Sequence, residues 1–226
     1  MPKSPTSKHP ADTAAAALWL LNGNLLDEAR LASLAASLGP GERLRYRNFL
    51  RPQRAREFLL GRVLLRHAAC GMLGIGNEHI VVTEREGNAP SLAFSSQQPH
   101  DLLPFHFSLS HSRGWIACAA SMAFHVGLDI EDKHYPRDIT ALGAAAFDAE
   151  DLIRLEKLSD AQRADAFYLL WNGNEALYKL QHNLGQEAGT ISAGWNCRTL
   201  PHAHLAICLC SDGDLAVLDV IELDTI

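Results

Sequence analysis

Apolar residues recur at helical spacing in two segments near the start of the chain, 27–38 and 52–73. The first is followed by Gly39-Pro40 and the second by Gly74. A glycine or proline directly after a periodic segment is a common helix stop, so the pattern predicts a helix over each segment. A short apolar run before them, 18–21, precedes an Asn-Gly pair and predicts a strand.

In the middle of the chain, short apolar segments alternate with turn-rich stretches. Residues 79–84, 105–110, 114–121 and 125–131 have the β-branched and aromatic content that is typical of strands. We predict a strand for each of them. The helical spacing of apolar residues seen in the first third of the chain does not continue here.

Helical spacing returns after Pro136. Asp148 is a candidate N-cap for one helix, and Ser159 or Asp160 for a longer helix that ends near Leu180. Two β-rich segments, 204–210 and 214–222, close the chain, and the Ser-Asp-Gly turn between them predicts a hairpin. Each half of the chain thus combines helices with antiparallel strands, which predicts an α+β fold whose second half loosely echoes the first.

The composition is typical of a globular protein. The 226 residues are 47% hydrophobic, enough for one large domain or two small ones. The apolar run 14–21 is far shorter than the roughly 20 residues that span a bilayer, so we expect a strand rather than a secretory signal, and no membrane partner.

The cysteines predict reduced thiols and a cytoplasmic location. The five cysteines form no CxxC pair and lie mostly among apolar neighbours. His202, His204, Cys208 and Cys210 could share one strand face. Side chains two apart on a strand are about 6.5 Å from each other, too far for four to converge on a zinc ion, so we expect ordinary packing there.

Positive charge is concentrated in one segment of an acidic chain. The net charge of −6 argues against a nucleic-acid partner, yet segment 43–66 holds eight arginines and a single acid, Glu57. The arginines are Arg43, Arg45, Arg47, Arg51, Arg54, Arg56, Arg62 and Arg66. Arginine makes forked contacts to phosphate oxygens, so a small ligand with several phosphates is one interpretation and a solvated helical face is the other.

Two carboxylates share one face of the predicted strand 125–131. Its sequence, HVGLDIE, puts the apolar residues on one face and Gly127, Asp129 and Glu131 on the other. Neighbouring anions repel unless a cation lies between them, which favours a hard metal ion such as Mg²⁺. An exposed strand end is the alternative.

A third carboxylate, Glu175, occurs in the stretch WNGNEALYKL of the last predicted helix. Trp171 precedes it by four residues and Lys179 follows by four, so the three lie on one side of the helix. A surface ion pair between Glu175 and Lys179 would explain the spacing. The functional interpretation makes Glu175 a third metal ligand.

The turn FSLSHSRGW places three serines around His111. Ser108, Ser110 and Ser112 supply hydroxyl donors that suit phosphate oxygens. A nucleophilic serine is less favoured, because the turn is not the strand-to-helix elbow of GxSxG enzymes. A structural role for His111 is a further alternative.

Four motifs, in their order and spacing, resemble the 4'-phosphopantetheinyl transferases of the surfactin-synthetase-activating type. They are FSLSHS (107–112), VGLDIED (126–132), FDAE (147–150) and WNGNEALYK (171–179). The earlier FLLGRVLLR (58–66) is similar to the basic helix of that family, and the resemblance extends from about residue 18 to about residue 221.

The resemblance implies a pseudo-dimeric monomer of two similar helix-plus-antiparallel-sheet halves, with coenzyme A in the cleft between them. The first half, 1–123, would contain the basic helix and the Ser-His turn, and the second, 124–226, the metal-binding carboxylates. The implied metal ligands are Asp129, Glu131 and Glu175, for Mg²⁺ or for Mn²⁺ in its place. The implied coenzyme A contacts are Arg45, Arg62, Ser110, His111 and Lys179, and the implied catalytic residues are Glu175, Lys179 and Asp129.

The implied reaction transfers 4'-phosphopantetheine from coenzyme A to a serine of an apo acyl or peptidyl carrier protein and releases 3',5'-ADP. Such carriers serve fatty acid synthesis or secondary metabolism. Two departures stand out, because Asn174 replaces a lysine usual in the family, and Gly87-Asn88-Ala89-Pro90 replaces a Gly-Lys-Pro segment. They motivate a degenerate member that binds coenzyme A or a carrier protein without turnover. A metal-dependent phosphohydrolase that uses the same carboxylates is a further alternative.

Overall fold

The computed structural model of the protein describes residues 16–85, 88–95, 104–135, 137–187 and 194–226. The helices within these ranges are α1 (Glu28–Ala36), α2 (Pro40–Arg47), α3 (Pro52–Leu73), α4 (Ile139–Ala146), α5 (Ala149–Glu156) and α6 (Asp160–Asn183). The strands are β1 (Ala16–Asn22), β2 (Ile80–Arg85), β3 (Asn88–Phe94), β4 (His106–Ser112), β5 (Trp115–Ser121), β6 (Val126–Asp132), β7 (Asn196–Leu200), β8 (Leu205–Ser211) and β9 (Leu218–Leu223). The predicted α+β class is confirmed.

The strands form three sheets. The first has the order β4-β5-β1-β9, the second pairs β2 with β3, and the third has the order β6-β8-β7. All pairings are antiparallel except that of β1 with β9. The long helix α3 packs on the first sheet and the long helix α6 on the third. Each half of the fold is therefore a long helix on a sheet.

The apolar faces of the first and third sheets pack against each other and join the halves. Leu18 and Leu20 of β1 are buried in one cluster with Leu128 and Ile130 of β6. The opposite face of β1, which includes Trp19, packs with α3 in a second cluster. The strand β1 is buried on both faces, which explains why its sequence is an unbroken apolar run.

The helix α3 occupies the predicted segment 52–73 from end to end. Pro52 is its first residue, where the missing N–H costs nothing, and Gly74 follows its last residue with a left-handed φ of 65°. The buried face includes Leu59, Leu60 and Leu64. No helix in the described part of the chain is both long enough and apolar enough to cross a membrane.

The predicted hairpin over 204–222 is wrong. The strand β9 runs parallel to β1 at the edge of the first sheet instead of returning along β8. Asp212 in the turn accepts a hydrogen bond from the backbone N–H of His125, at 2.7 Å. The apolar residues Ile221 and Leu223 pack against the core of the first half. A Ser-Asp-Gly turn signals a change of direction, but the burial of these residues decides which strand β9 joins.

The predicted reduced thiols are wrong for one pair of cysteines. Cys197 on β7 is the direct partner of Cys210 on β8, and the two form a disulfide. Cys70, Cys118 and Cys208 are free. The two cysteines are 13 residues apart in the sequence, so no short sequence motif predicts the disulfide. The pairing of β7 with β8 brings the sulfurs together.

Candidate active site

The helix α6 lies directly on β6, at the point where the strand carries Gly127. A Cβ on Gly127 would be 2.1 Å from the Ala176 carbonyl oxygen and 2.5 Å from the Leu180 nitrogen. Only glycine fits under the helix backbone at this distance. Asp129 and Glu131 follow Gly127 on the same strand face. The close approach therefore sets the distance between α6 and the strand face that carries both carboxylates.

Asp129 forms an ion pair with Lys179 of α6. Its Oδ1 accepts from Lys179 Nζ at 2.8 Å and from Ser110 Oγ at 2.9 Å. Lys179 also donates to the Leu128 carbonyl at 2.9 Å and to Ser110 Oγ at 3.2 Å. The side chain of Asp129 is buried, and its second oxygen, Oδ2, has no hydrogen-bond partner in the described part of the protein. A buried carboxylate oxygen without a donor is a place that a cation would satisfy.

Glu131 is held by two side chains. Ser112 donates to its Oε2 at 2.6 Å, and Arg137, five residues after the end of β6, forms an ion pair with the same oxygen. Arg137 is not among the site residues that the sequence predicts. The sequence does show a basic residue shortly after the strand that carries Asp129 and Glu131. It does not show that the chain after this strand folds back toward Glu131.

Three alternating serines of β4 connect the two halves. The hydroxyl oxygens of Ser108, Ser110 and Ser112 accept the backbone N–H groups of Leu128, Ile130 and Asp132 at 3.0, 3.2 and 3.1 Å. All three serines are buried. Side-chain hydroxyls thus replace main-chain carbonyls as the acceptors between β4 and β6. In this structure the serines organise the junction and orient the carboxylates of β6.

Replacement of Ser108 by alanine is expected to destabilise the protein by about 1–3 kcal/mol, because the buried Leu128 N–H would lose its acceptor. Urea unfolding measures the change. The matched control is Ser37→Ala, since the exposed Ser37 hydroxyl donates to the Leu34 carbonyl, and its loss should cost less than about 0.5 kcal/mol. Equal effects of both substitutions would contradict the role given to the serine junction.

Glu175 is half-buried in the middle of α6, and its carboxylate has no hydrogen bond or ion pair with any described residue. Lys179 pairs with Asp129 instead of forming the surface ion pair with Glu175. Trp171 stacks on Phe167 within the second half, with ring centroids 5.7 Å apart. The neighbouring Asn174 is exposed.

The described residues include no group of three His, Cys, Asp or Glu side chains placed to hold a metal ion. Asp129 and Glu131 are occupied by Lys179 and Arg137. The donor chemistry nevertheless fits a hard divalent cation, since the face of β6 presents carboxylate oxygens and one of them is buried without a partner. The structure brings together Asp129, Lys179 and Ser110 among the predicted site residues, whereas Glu175 forms no hydrogen bond or ion pair with them.

His111 lies on the other side of β4, toward α3. Its Nδ1 is 3.7 Å from Oε2 of Glu57, and its Nε2 is 3.5 Å from Arg54. Burial lowers the pKa of His111, and the Glu57 carboxylate opposes this effect only in part. A cavity of about 220 Å³ between α3 and β4 is lined by these three residues together with Arg62 and Ser110. Glu57 was counted in the sequence only as the single acid among the arginines.

The arginines of segment 43–66 fit neither interpretation as a group, because some of them are buried and bound to other residues of the protein. Arg66 is buried and bonds to Glu42, Asn77 and the Ile80 carbonyl. The guanidinium groups of Arg62 and Arg45 lie over the Phe58 ring, 4.7 and 5.4 Å from its centroid. Arg62 is buried, whereas Arg45 is exposed.

A second part of the cleft runs along β4 on the side of α6. A cavity of about 270 Å³ is lined by Leu109, Tyr178 and Lys179, among others, and a neighbouring one of about 540 Å³ shares His182 and Pro90 with it. Leu109 also lines the cavity at His111. Of the segment that replaces Gly-Lys-Pro, Gly87 lies outside the described residues, and Pro90 borders the cleft.

The fold and this cleft define a class of protein: two helix-on-sheet halves that meet where Ser110 of β4 contacts the Lys179–Asp129 pair of the second half, with cavities on both sides of β4. Comparison with known families agrees with that class. Residues 27–123 match the model described as 4'-phosphopantetheinyl transferase, N-terminal, and residues 125–212 match that of the 4'-phosphopantetheinyl transferase superfamily. The chain belongs to the 4'-phosphopantetheinyl transferase superfamily, as the motifs predicted.

Individual relatives are similar at modest identity. A 4'-phosphopantetheinyl transferase HetI of Nostoc is 29% identical over 67% of this chain and 62% of the relative. Psf-1 of Bacillus pumilus is 36% identical over 56% of this chain and 50% of its own length. Sfp of Bacillus subtilis strain 168 is 28% identical over 63% of this chain and 59% of its own length. The chain therefore matches only about half to three fifths of each of these relatives.

Proposed function

We propose that the chain transfers the 4'-phosphopantetheine group of coenzyme A to a serine of an apo acyl or peptidyl carrier protein. The contact between Lys179 and Asp129 at the junction of the halves carries this proposal. This contact brings a cation next to a carboxylate, and Lys179 lines a cavity of about 270 Å³ that adjoins one of about 540 Å³, together room for a nucleotide-bearing donor. The relatives named as 4'-phosphopantetheinyl transferases support the same activity.

Lys179 would bind the pyrophosphate of the donor. Its ammonium group is within hydrogen-bond distance of Ser110 and Asp129, so its position is held from both halves. A fixed positive charge beside the phosphate oxygens stabilises the charge that develops on them during transfer. Ser110 and His111 would contact the nucleotide, with Arg45 and Arg62 at the edge of its site.

Asp129, Glu131 and Glu175 would hold Mg²⁺, or Mn²⁺ in its place. The unpartnered Oδ2 of Asp129 supports this assignment. When bound, the ion would neutralise charge on the pyrophosphate oxygens. Ser112 would keep Glu131 in place from the side of β4, because its hydroxyl donates to that carboxylate.

In the transfer step, the carrier serine oxygen forms a bond to the β-phosphorus of coenzyme A. The bond from that phosphorus to the bridging oxygen breaks, and the electron pair leaves with 3',5'-ADP. The serine proton passes to Glu175, directly or through a water. Glu175 suits this role because its half-buried carboxylate makes no hydrogen bond or ion pair with any described residue.

Nucleotide release tests the proposal and separates it from the other two activities. With coenzyme A and Mg²⁺, we expect 3',5'-ADP to appear only when an apo-carrier protein is added. Tight binding of coenzyme A without any 3',5'-ADP would instead identify a degenerate binding protein. Release that needs no carrier would identify a phosphohydrolase. We further propose that the chain acts as a monomer in the cytoplasm.

A further inference from the structure

Glu57 lies beside the residue that the family resemblance assigns to a phosphate of the nucleotide. Its Oε2 is 3.7 Å from Nδ1 of His111, and both side chains line the cavity of about 220 Å³ between α3 and β4. The Glu57 side chain is only 9% exposed and accepts hydrogen bonds from Gln53 and Arg54, which hold it at the cavity. Any group that contacts His111 from this cavity also meets the Glu57 carboxylate.

The two arginines that line the same cavity already face carboxylates. Arg54 forms an ion pair with Glu57 at 3.0 Å. The guanidinium of Arg62 is 4.0 Å from the buried Glu42 and lies over the Phe58 ring. A phosphate dianion in this cavity would compete with Glu57 for Arg54 and would lie next to a like charge. Like charges a few ångströms apart repel, and water that reaches the cavity past Arg54 and His111, whose side chains are 58% and 44% exposed, weakens this repulsion without cancelling it.

A carboxylate next to a histidine suits a ribose hydroxyl better than a phosphate. Carboxylate oxygens accept the hydroxyl proton, whereas they repel a phosphate. Dinucleotide-binding folds use the same distinction, since an acidic side chain there selects the free hydroxyl and an arginine accommodates the phosphate. In this cavity the acid is buried and Arg54 is paired with it, while Arg62 faces Glu42, which also pairs with Arg66. The buried acid next to the histidine matches the first arrangement.

We propose that Glu57 is a specificity-determining residue that suits this site to a donor with a free ribose 3'-hydroxyl, so that 3'-dephospho-coenzyme A is used at least as well as coenzyme A. The inference rests on the proposed transfer activity. The reaction makes and breaks the same bonds with either donor. The leaving nucleotide is 5'-AMP from the dephospho donor and 3',5'-ADP from coenzyme A.

The test compares kcat/KM for the two donors with one apo-carrier protein. For the wild type we expect 3'-dephospho-coenzyme A to equal or exceed coenzyme A. Glu57→Gln keeps the shape and the hydrogen bond that Arg54 donates but removes the charge, so it should shift the ratio toward coenzyme A by about tenfold. Glu28→Gln, on a glutamate that is 90% exposed, is the matched control and should leave the ratio unchanged.

A wild type whose kcat/KM is higher with coenzyme A than with 3'-dephospho-coenzyme A would overturn the inference and leave the proposed function standing. An unchanged ratio in Glu57→Gln would also overturn it. If neither donor supports transfer, the proposed function fails, and calorimetric binding of the two nucleotides to the wild type decides the inference. Affinity for 5'-AMP at least equal to that for 3',5'-ADP supports the inference, and a strong preference for 3',5'-ADP overturns it. The same binding measurement decides the matter if Glu57→Gln does not fold.

Discussion

Glu175→Gln is expected to lower kcat for phosphopantetheine transfer by about 10²–10⁴-fold while the protein stays folded. The substitution removes the group proposed to accept the serine proton and to complete the metal site. It should change the free energy of unfolding by less than about 0.5 kcal/mol, because the carboxylate makes no hydrogen bond or ion pair with the described residues. Single-turnover transfer kinetics and thermal unfolding measure the two effects.

The control for this substitution is Glu150→Gln. Glu150 is 75% exposed on α5 and, among the described residues, pairs only with Arg154 across one helical turn, so its loss should affect neither activity nor stability measurably. Full activity of Glu175→Gln would refute its catalytic and metal-binding roles. A large loss of stability would instead show that Glu175 has a structural role.

Gly127→Ala is expected to disrupt the site by pushing α6 away from β6. The added Cβ would meet backbone atoms at 2.1 and 2.5 Å, which no side-chain rotation can relieve. We expect a loss of about 3 kcal/mol or more, which lowers Tm by about 6–12 °C for a chain of this size. Transfer should fall as well, because Lys179 and Glu175 are carried by the displaced helix.

Gly173→Ala on the same helix is the matched control. A Cβ there meets no atom within 4 Å, and alanine favours the helix over glycine by up to about 1 kcal/mol. Tm should therefore rise by about 2–4 °C with transfer unchanged. A neutral Gly127→Ala would contradict the close approach of α6 and β6 on which the geometry of the site depends.

Local signals in the sequence predicted much of the fold. Pro52 and Gly74 define the ends of α3, and Asp148 caps α5 as predicted, with its side chain accepting from the Asp151 N–H. The strands β4, β5 and β6 lie within a residue or two of their predicted positions. These elements could be predicted from the sequence because periodicity and capping depend on residues close to each other in the chain.

Four elements escaped prediction because their local patterns are weak. The helix α2 has eight residues, three of them arginines and few of them apolar. The helix α4 is short and rich in alanine, and the strands β3 and β7 have five to seven residues without clear alternation. Short segments of this kind take their conformation from neighbouring elements rather than from their own sequence.

The candidate site, like the fold, could be predicted from the sequence only in part. The alternation in HVGLDIE correctly puts Gly127, Asp129 and Glu131 on the face that meets α6, and Val126, Leu128 and Ile130 in the core. The contacts of these residues could not be predicted from the sequence. Ser112 and Glu131 are 19 residues apart, Asp129 and Lys179 are 50 apart, and Glu57 meets His111 from another element. Only the folded chain brings such pairs together.

Intact-mass analysis of a carrier protein is the decisive measurement of the proposed phosphopantetheine transfer. The wild-type chain is incubated with coenzyme A, Mg²⁺ and each of several purified apo acyl and peptidyl carrier proteins. We expect at least one carrier to gain the mass of one phosphopantetheine group, and the same carrier with its acceptor serine replaced by alanine to gain none. No mass gain on any carrier, with coenzyme A bound and the protein folded, would contradict the proposed transfer.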